Sequence, residues 1–467
     1  MTRSGFNANR CLPPACRRRG GFVLVAVLVV VMLSSMVAMS LLFRMRADNA
    51  AAAVGEGSEQ AWAAAMSGVE EAIQMAAHVP PGGLDWQDAP QLFKDQLVYA
   101  DGSERWYFTV YSQAAEDSLQ EFRYGLTDEA GKVNVNSAHS TNLMRLPGMT
   151  GPLTEALRDY IDADAAGRSS TGEQGFVDGA GRRRGSRNGS LDTLDELLLV
   201  RGFTPALLYG EDANMNWRLD PNEQDGDERF PPDNGDTRLE AGLRQLTTVS
   251  SYDPNEDNDG APRTRLQQGN APLPGVELPP GLTNYIAAVR SNHLRLEHAA
   301  DLLEGRIKVK DAFGRESEVA SGVGKAELPL VLDLFTASGA ESVKGLINVN
   351  TAPARVLATV PGIDETLAEA IVSTRRGLSP EKRASVAWLY SEGVVDAPLF
   401  RQLAPFLTAR SFQFSFHVVG YGLPSGRYRV LDVILDVASG KPRVAYLRDI
   451  TRLGLPFPLL DREVPDA

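Results

Sequence analysis

The chain has 467 residues, 43% hydrophobic and 23% charged, which suffices for a buried core in roughly two or three domains and excludes wholesale disorder. Only 7% is aromatic, and 43 Gly with 28 Pro indicate much loop, against a single compact enzyme barrel of this length. Sixty acidic against 47 basic side chains give a formal charge of -13, so a polyanion such as nucleic acid is a poor partner.

The only cysteines, Cys11 and Cys16, precede the first apolar stretch and read as leader residues, too few for a zinc site. Arg17, Arg18, Arg19, Gly20 and Gly21 follow, then an uncharged run over 22–43 closed by Arg44 and Arg46. As a helix, a run of about 22 residues spans a bilayer. It is longer than the apolar part of an ordinary signal peptide and no A-x-A site follows, so the segment stays on the mature protein. The arginines hold the N-terminus in the cytoplasm and send the rest outward. An Ala-rich stretch carrying Glu70 and Glu71 continues the helical pattern to Pro80 and Pro81, which predicts one helix over 22–79, roughly 85 Å long.

This arrangement resembles the type IV pilin and type II secretion pseudopilin family; by itself the segment also fits an uncleaved signal anchor. The resemblance implies a basic prepilin leader ending in Gly21, cleavage there by the prepilin peptidase, and N-methylation of the new first residue, Phe22. The fifth mature position, usually Glu, is Ala26 here, or Val25 if the cut follows Gly20. Neither can neutralise a neighbouring subunit's terminal amine inside a low-dielectric helix bundle. Absence of that Glu is typical of the minor pseudopilin K, the general secretion pathway protein K family, whose members cap the pseudopilus tip.

Alternating aromatic and β-branched residues predict strands at 105–111 and 121–126, and near the other end at 411–421, 427–437 and 443–451. Strands at both ends around a helical middle predict an α+β chain with one sheet interrupted by an insertion. The resemblance implies the same: a type IV pilin-like fold, long N-terminal helix plus antiparallel sheet, with a large, mainly helical domain spliced into the sheet. The expected divisions are a leader at 1–21, the transmembrane and extended helix at 22–79, sheet at 80–127, the inserted domain at 128–410 and sheet at 411–467.

The middle repeats itself. Gly131-Lys132-Val133-Asn134-Val135-Asn136-Ser137-Ala138 followed by Leu146-Pro147-Gly148 recurs as Gly345-Leu346-Ile347-Asn348-Val349-Asn350-Thr351-Ala352 followed by Val360-Pro361-Gly362. Each unit reads as an extended start, a helix capped near Ser137 or Thr351, a Pro-Gly hairpin and a second helix, which looks like helix-hairpin-helix. Where that motif holds DNA phosphates on backbone N–H groups, the hairpin is Gly-x-Gly; here Thr150 and Asp364 replace its second Gly, which favours packing over DNA contact. Between the repeats, 165–190 is Gly-, Ser- and Arg-rich and reads as a mobile loop with Arg182, Arg183 and Arg184 solvated, before an amphipathic helical pattern over 191–202.

Oxygen side chains at Asp212, Asn214, Asn216, Asp220 and Glu223, with Arg218 offering its backbone carbonyl, fall at the spacing of an EF-hand calcium loop. Trp217 stands where Gly normally permits the turn and Pro221 where a second helix would start, so a looser calcium loop is expected. Asp253, Asn255, Asp257 and Asp259 form a possible second set, and Asp225 and Asp227 are further candidates. The family resemblance implies calcium-stabilised loops in this domain without identifying ligands.

Enzyme signatures are missing. The five histidines show no metal-ligand spacing, no G-x-S-x-G elbow occurs, and the phosphate-loop-like stretch at 321–326 lacks its first Gly, replaced by Val319, and its Ser or Thr, replaced by Ala326. The sequence therefore predicts an assembly protein: a minor pseudopilin of the inner membrane with its C-terminal bulk in the periplasm. The resemblance implies as partners the I and J minor pseudopilins, the major pseudopilin and the prepilin peptidase. A membrane-anchored helix-hairpin-helix protein of DNA uptake is the alternative.

Overall fold

The computed structural model describes residues 20–102, 104–114, 122–162, 176–177, 183–226, 229–267, 273–310, 316–438 and 440–459. The cysteines, the three leader arginines, most of the expected 165–190 loop and Arg182 lie outside them. The chain falls into two units, 1–59 and 60–467.

One helix, α1 (Gly20–His78), begins in the first unit and ends in the second. Ala and Val are its commonest residues, 14 and 9 of 59, and Pro80 lies just beyond its end. In the first unit its apolar side chains are exposed, Phe22 at 84% and Leu24 at 72%, and the stretch is long and apolar enough to cross a membrane. Ser35 returns its hydroxyl to the Val31 carbonyl at 2.8 Å, so this polar group is satisfied within the helix.

From residue 60 onward the same helix buries one face, with Ala61, Ala64, Ala65, Val69 and Ala72 nearly inaccessible. It packs on an antiparallel sheet of β1 (Gln96–Asp101), β2 (Glu104–Gln113), β3 (Phe122–Arg123), β4 (Thr127–Asp128), β5 (Gln413–Leu423), β6 (Tyr428–Asp436) and β7 (Arg443–Asp449). The order is β1-β2-β5-β6-β7, with β3 on β2 and β4 on β5. The small residues set the contact distance: a Cβ on Gly420 would lie 2.2 Å from the Ala61 carbonyl oxygen, which only glycine avoids. Phe108, Val110, Phe416, Val418, Leu431 and Val433 face this helix. Tyr107, Tyr111, Val419, Tyr421 and Val430, one residue out of phase, line the far face.

The described residues of 129–412 stay out of this sheet and build a separate core around residues such as Leu143, Leu157, Leu197, Ile286, Val356 and Phe400. The repeats appear as paired helices, Ser140–Leu143 with Gly151–Ile161 and Ala354–Leu357 with Glu365–Arg375. Their first helices start after His139 and Pro353, so the caps expected at Ser137 and Thr351 are displaced. The hairpin glycines Gly148 and Gly362 have φ of 72° and 95°, a conformation that costs an L side chain. Each repeat opens with a two-residue parallel ladder: Val133–Asn134 against Thr247–Thr248, and Ile347–Asn348 against Leu407–Thr408. A third ladder, Thr264–Arg265 against Phe335–Thr336, reveals a middle unit that the sequence reading missed.

Other expectations shift in detail. The 121–126 strand breaks into β3 and β4 around Gly125, whose Cβ would meet the Gln87 carbonyl at 2.0 Å. The 191–202 pattern forms a 3-10 helix over Leu194–Leu199, opened by a capping box of Thr193 and Glu196. Edge strand β1 was not foreseen, because it exposes Leu97, Val98 and Tyr99 and so lacks a buried alternation.

A buried carboxylate joins the insert to the sheet. Asp128, at the end of β4, accepts the Ala130 N–H at 2.9 Å on Oδ1. On Oδ2 it accepts Asn348 Nδ2 at 2.8 Å and the Thr351 and Ser411 hydroxyls at 2.7 Å each. Burial pushes its pKa up to about 6, against the lowering effect of those four donors.

Candidate functional site

Gly21, Phe22 and Ala26 all lie in the first turns of α1. No ionisable side chain occurs over 22–43.

The loop over 212–223 gathers most of its expected ligands. Asp212, Asn216 and Glu223 are buried at 3%, 7% and 2% exposure. Asn214 and Asn216 both donate their amides to Asp220 Oδ2, at 2.7 and 2.9 Å. The Asp212 carboxylate accepts the N–H groups of Asn216 and Trp217 at 3.0 and 3.2 Å, and Arg218 donates its N–H to Asn216 Oδ1 at 2.7 Å. Glu223 Oε2 accepts the Asp220 N–H at 3.0 Å, while its buried Oε1 has no hydrogen-bond partner.

Burial is the first influence on the protonation of these acids. Burial pushes Asp212 up to about 6, opposed by the N–H groups it accepts. Glu223 rises to about 7, first through burial and then through the charges of Asp212 and Asp220. Among the described residues no three His, Cys, Asp or Glu side chains alone form a metal-holding group. Asp212, Asp220 and Glu223 therefore do not converge on their own, and share the loop with the amides of Asn214 and Asn216. The orphaned Glu223 oxygen and the mutual repulsion of the acids fit a hard cation bound by oxygen.

The second expected set does not converge. Asp253 is ion-paired with Arg410 and accepts the Thr408 hydroxyl at 2.6 Å. The Arg410 guanidinium also takes the Glu256 and Pro254 carbonyls at 2.8 and 2.7 Å, so a resident cation already occupies the place an ion would fill. Asn255 turns its amide to the Ala340 carbonyl at 2.9 Å. Asp257 accepts the N–H groups of Asp259 and Ala261, closing its own turn. Asp225 pairs with Arg229 at 2.6 Å, and Asp227 lies outside the described residues.

Sequence reasoning also missed residues beside the first loop. Glu211, 5% exposed, accepts the N–H groups of Asn234 and Glu240 at 3.1 Å each and ties the loop to its neighbour. Asp233 accepts the N–H groups of Asp225, Gly226 and Gly235; the run Asp233-Asn234-Gly235-Asp236 was the available signal. On the far face of the sheet, Asp432 pairs with Arg244 at 2.7 Å and lies 3.5 Å from His417 Nε2. Burial works to raise Asp432, but these two neighbours hold it well below the usual carboxylate range; burial pushes the His417 imidazole down.

A cavity of about 620 Å³ is lined by charged groups that include Arg123, Glu129, Lys132, Arg244 and Asp432. These satisfy one another or the backbone: Lys132 with Glu129 at 2.6 Å, Arg244 with Asp432, and Arg123 with the Gln87 and Leu126 carbonyls. At the helix-hairpin-helix units, Thr150 and Asp364 cap the second helices and accept the Leu153 and Leu367 N–H groups at 3.4 and 2.8 Å.

A family model described as a helix-hairpin-helix motif matches residues 342–408, the last of the three units. No curated protein matches the chain. Among solved structures the chain is similar to one chain of the GspK-GspI-GspJ complex of the type 2 secretion system of enterotoxigenic Escherichia coli. The likeness has a TM-score of 0.36 and 11% identity, over 87% of this chain and 99% of that one.

Proposed function

We propose that this chain is a minor pseudopilin of the K type, working at the tip of a type II secretion pseudopilus, where it initiates or caps assembly for protein export. The observation that carries the reading is the double character of α1. Its first part is apolar, exposed and free of ionisable groups, and the same helix then buries an alanine face on an antiparallel sheet whose strands flank a helical insert. In this reading the prepilin peptidase cuts after Gly21, Phe22 becomes the methylated first residue, and the inner membrane holds residues 22–43. The bulk lies in the periplasm. The partners are I- and J-type minor pseudopilins and the major pseudopilin, and Ala26 suits a subunit with no neighbour above it. The work is assembly, without catalysis.

Calcium has a structural part in the proposal. Asp212, Asn214, Asn216, Asp220 and Glu223, with the Arg218 carbonyl, would hold one ion, which supplies positive charge to three crowded carboxylates. Nucleic acid is not a partner in this reading. The charge of -13 opposes phosphate binding, and Asp364 puts a carboxylate on the N–H that a phosphate would use.

The test is the intact N-terminal mass of the protein purified from membranes of its own host. A chain beginning at methylated Phe22 is expected, and Gly21 replaced by a bulky residue should block both processing and secretion. A wild-type chain still carrying Met1 would leave an ordinary signal anchor and remove the basis for the tip assignment. Salt-sensitive binding of duplex DNA by the full chain would favour the DNA-uptake alternative instead.

A further inference from the structure

The 212–223 loop has a second side. While Asn214 and Asn216 turn to Asp220, the residues between and after them, Met215 and Trp217, pack on the far face of the sheet. Both take left-handed backbone conformations, with φ of 55° and 59°. Met215 is buried in the cluster of Tyr107, Tyr111, Val419 and Tyr421. The Trp217 ring lies on His417, with centroids 3.9 Å apart and planes 12° from parallel, and meets Tyr111 edge-on at 5.7 Å. His417 is registered opposite Tyr111 on β2 and Asp432 on β6, so Trp217 covers a row running across three central strands.

We propose that this loop is a cation-dependent clasp, with Met215 and Trp217 as its plug, which fastens the helical insert to the sheet when an ion occupies Asp212, Asn214, Asn216, Asp220 and Glu223. The inference rests on the calcium reading above. Its physical basis is the Asp212 carboxylate, which accepts both the Asn216 and Trp217 N–H groups and so sets the turn that aims the indole. Glu223, buried and with Oε1 unpartnered, marks the side where positive charge is missing. An ion that draws these groups together holds the turn; without it, repulsion among the three carboxylates works to open it. By linkage, whatever factor the ion contributes to docking of the plug, the plug returns to ion affinity.

The test uses the full chain in detergent, with calcium as the probe. Calorimetry reads calcium affinity, and hydrogen exchange reads protection across Gln413–Leu423 with calcium or with chelator. Calcium is expected to slow exchange in this strand. Trp217→Ala should weaken calcium binding about tenfold and abolish the calcium-dependent protection, a size typical of coupled sites. Trp217→Phe, which keeps a stacking ring, should restore most of both. Calcium binding of unchanged affinity in Trp217→Ala and Met215→Ala would overturn the clasp and leave the calcium site standing, as would identical wild-type exchange with calcium and chelator. Failure of the wild-type chain to bind calcium would overturn both. If Trp217→Ala does not fold, the wild-type exchange pair and Trp217→Phe still decide.

Discussion

Asp128 and Glu223 are both acids with almost no exposure, 3% and 2%, yet their surroundings differ. Asp128 sits among four donors drawn from the turn after β4, the last repeat and the approach to β5, so its charge is met by neutral dipoles already in place. Glu223 accepts the Asp220 N–H on Oε2, faces the charges of Asp212 and Asp220, and has no hydrogen-bond partner on Oε1. A buried acid is tolerable when the fold supplies its partners. The second acid shows where the fold stops short and an external cation has a role.

That contrast can be broken or sharpened in three ways. The largest effect is expected from Asp128→Ala, which strands the donors of Asn348, Thr351 and Ser411 and should cost about 3–4 kcal/mol in urea unfolding at pH 7.5. A loss below about 1 kcal/mol would mean that water or other acceptors serve the hub equally well.

A smaller effect separates charge from hydrogen bonding. Because the folded pKa of Asp128, about 6, lies above its unfolded value, its contribution is fully present below about pH 4 and is lost as pH rises through 6. Relative to Asp128→Asn, the wild type should therefore gain roughly 2–3 kcal/mol between pH 7.5 and pH 4. Parallel stability curves for the two proteins would show that the carboxylate does not change protonation there.

The smallest effect has the opposite sign. In chelator, Glu223→Gln removes a repelling charge and should raise stability by up to about 1 kcal/mol, while cancelling the calcium-dependent rise in Tm. Destabilisation in chelator would place Glu223 with Asp128 as an acid the fold already accommodates.

Much of this was legible in the chain. The helix over 22–79 declared itself through composition and the late prolines, and the strands near 105–111 and 411–421 through alternating aromatic and β-branched residues. The middle repeat escaped because it lacks the Asn-x-Asn start, although Pro280-Gly281, with Gly281 at φ 94°, stands directly before its helix Leu282–Ser291. Its signature lies at the other end of each unit, where Thr248, Thr336 and Thr408 each accept with the hydroxyl the N–H two residues on, from Ser250, Ser338 and Arg410. For the acidic loops, spacing picked out the 212–223 run as one hydrogen-bonded loop, whereas Asp253 is paired with Arg410. Arg410 is 157 positions away in sequence, and no local pattern reveals it. Trp217 looked like a defect in a calcium loop because its counterpart surface, His417 and Tyr111, belongs to strands far away in the chain. A left-handed tryptophan is tolerated here because its ring is packed between them.

The pairing of β4 with β5 has a consequence for how such a molecule comes to exist. Asp128 and Thr127 stand directly opposite Phe414 and Ser415 in one antiparallel ladder, so the chain leaves the sheet and re-enters it at adjacent positions, about 5 Å apart as in any such pair. A segment with neighbouring ends can be acquired, duplicated internally or discarded by a lineage while every strand register around it stays the same. The three threonine-ended ladders between those positions lie outside the sheet, which needs no knowledge of how many there are.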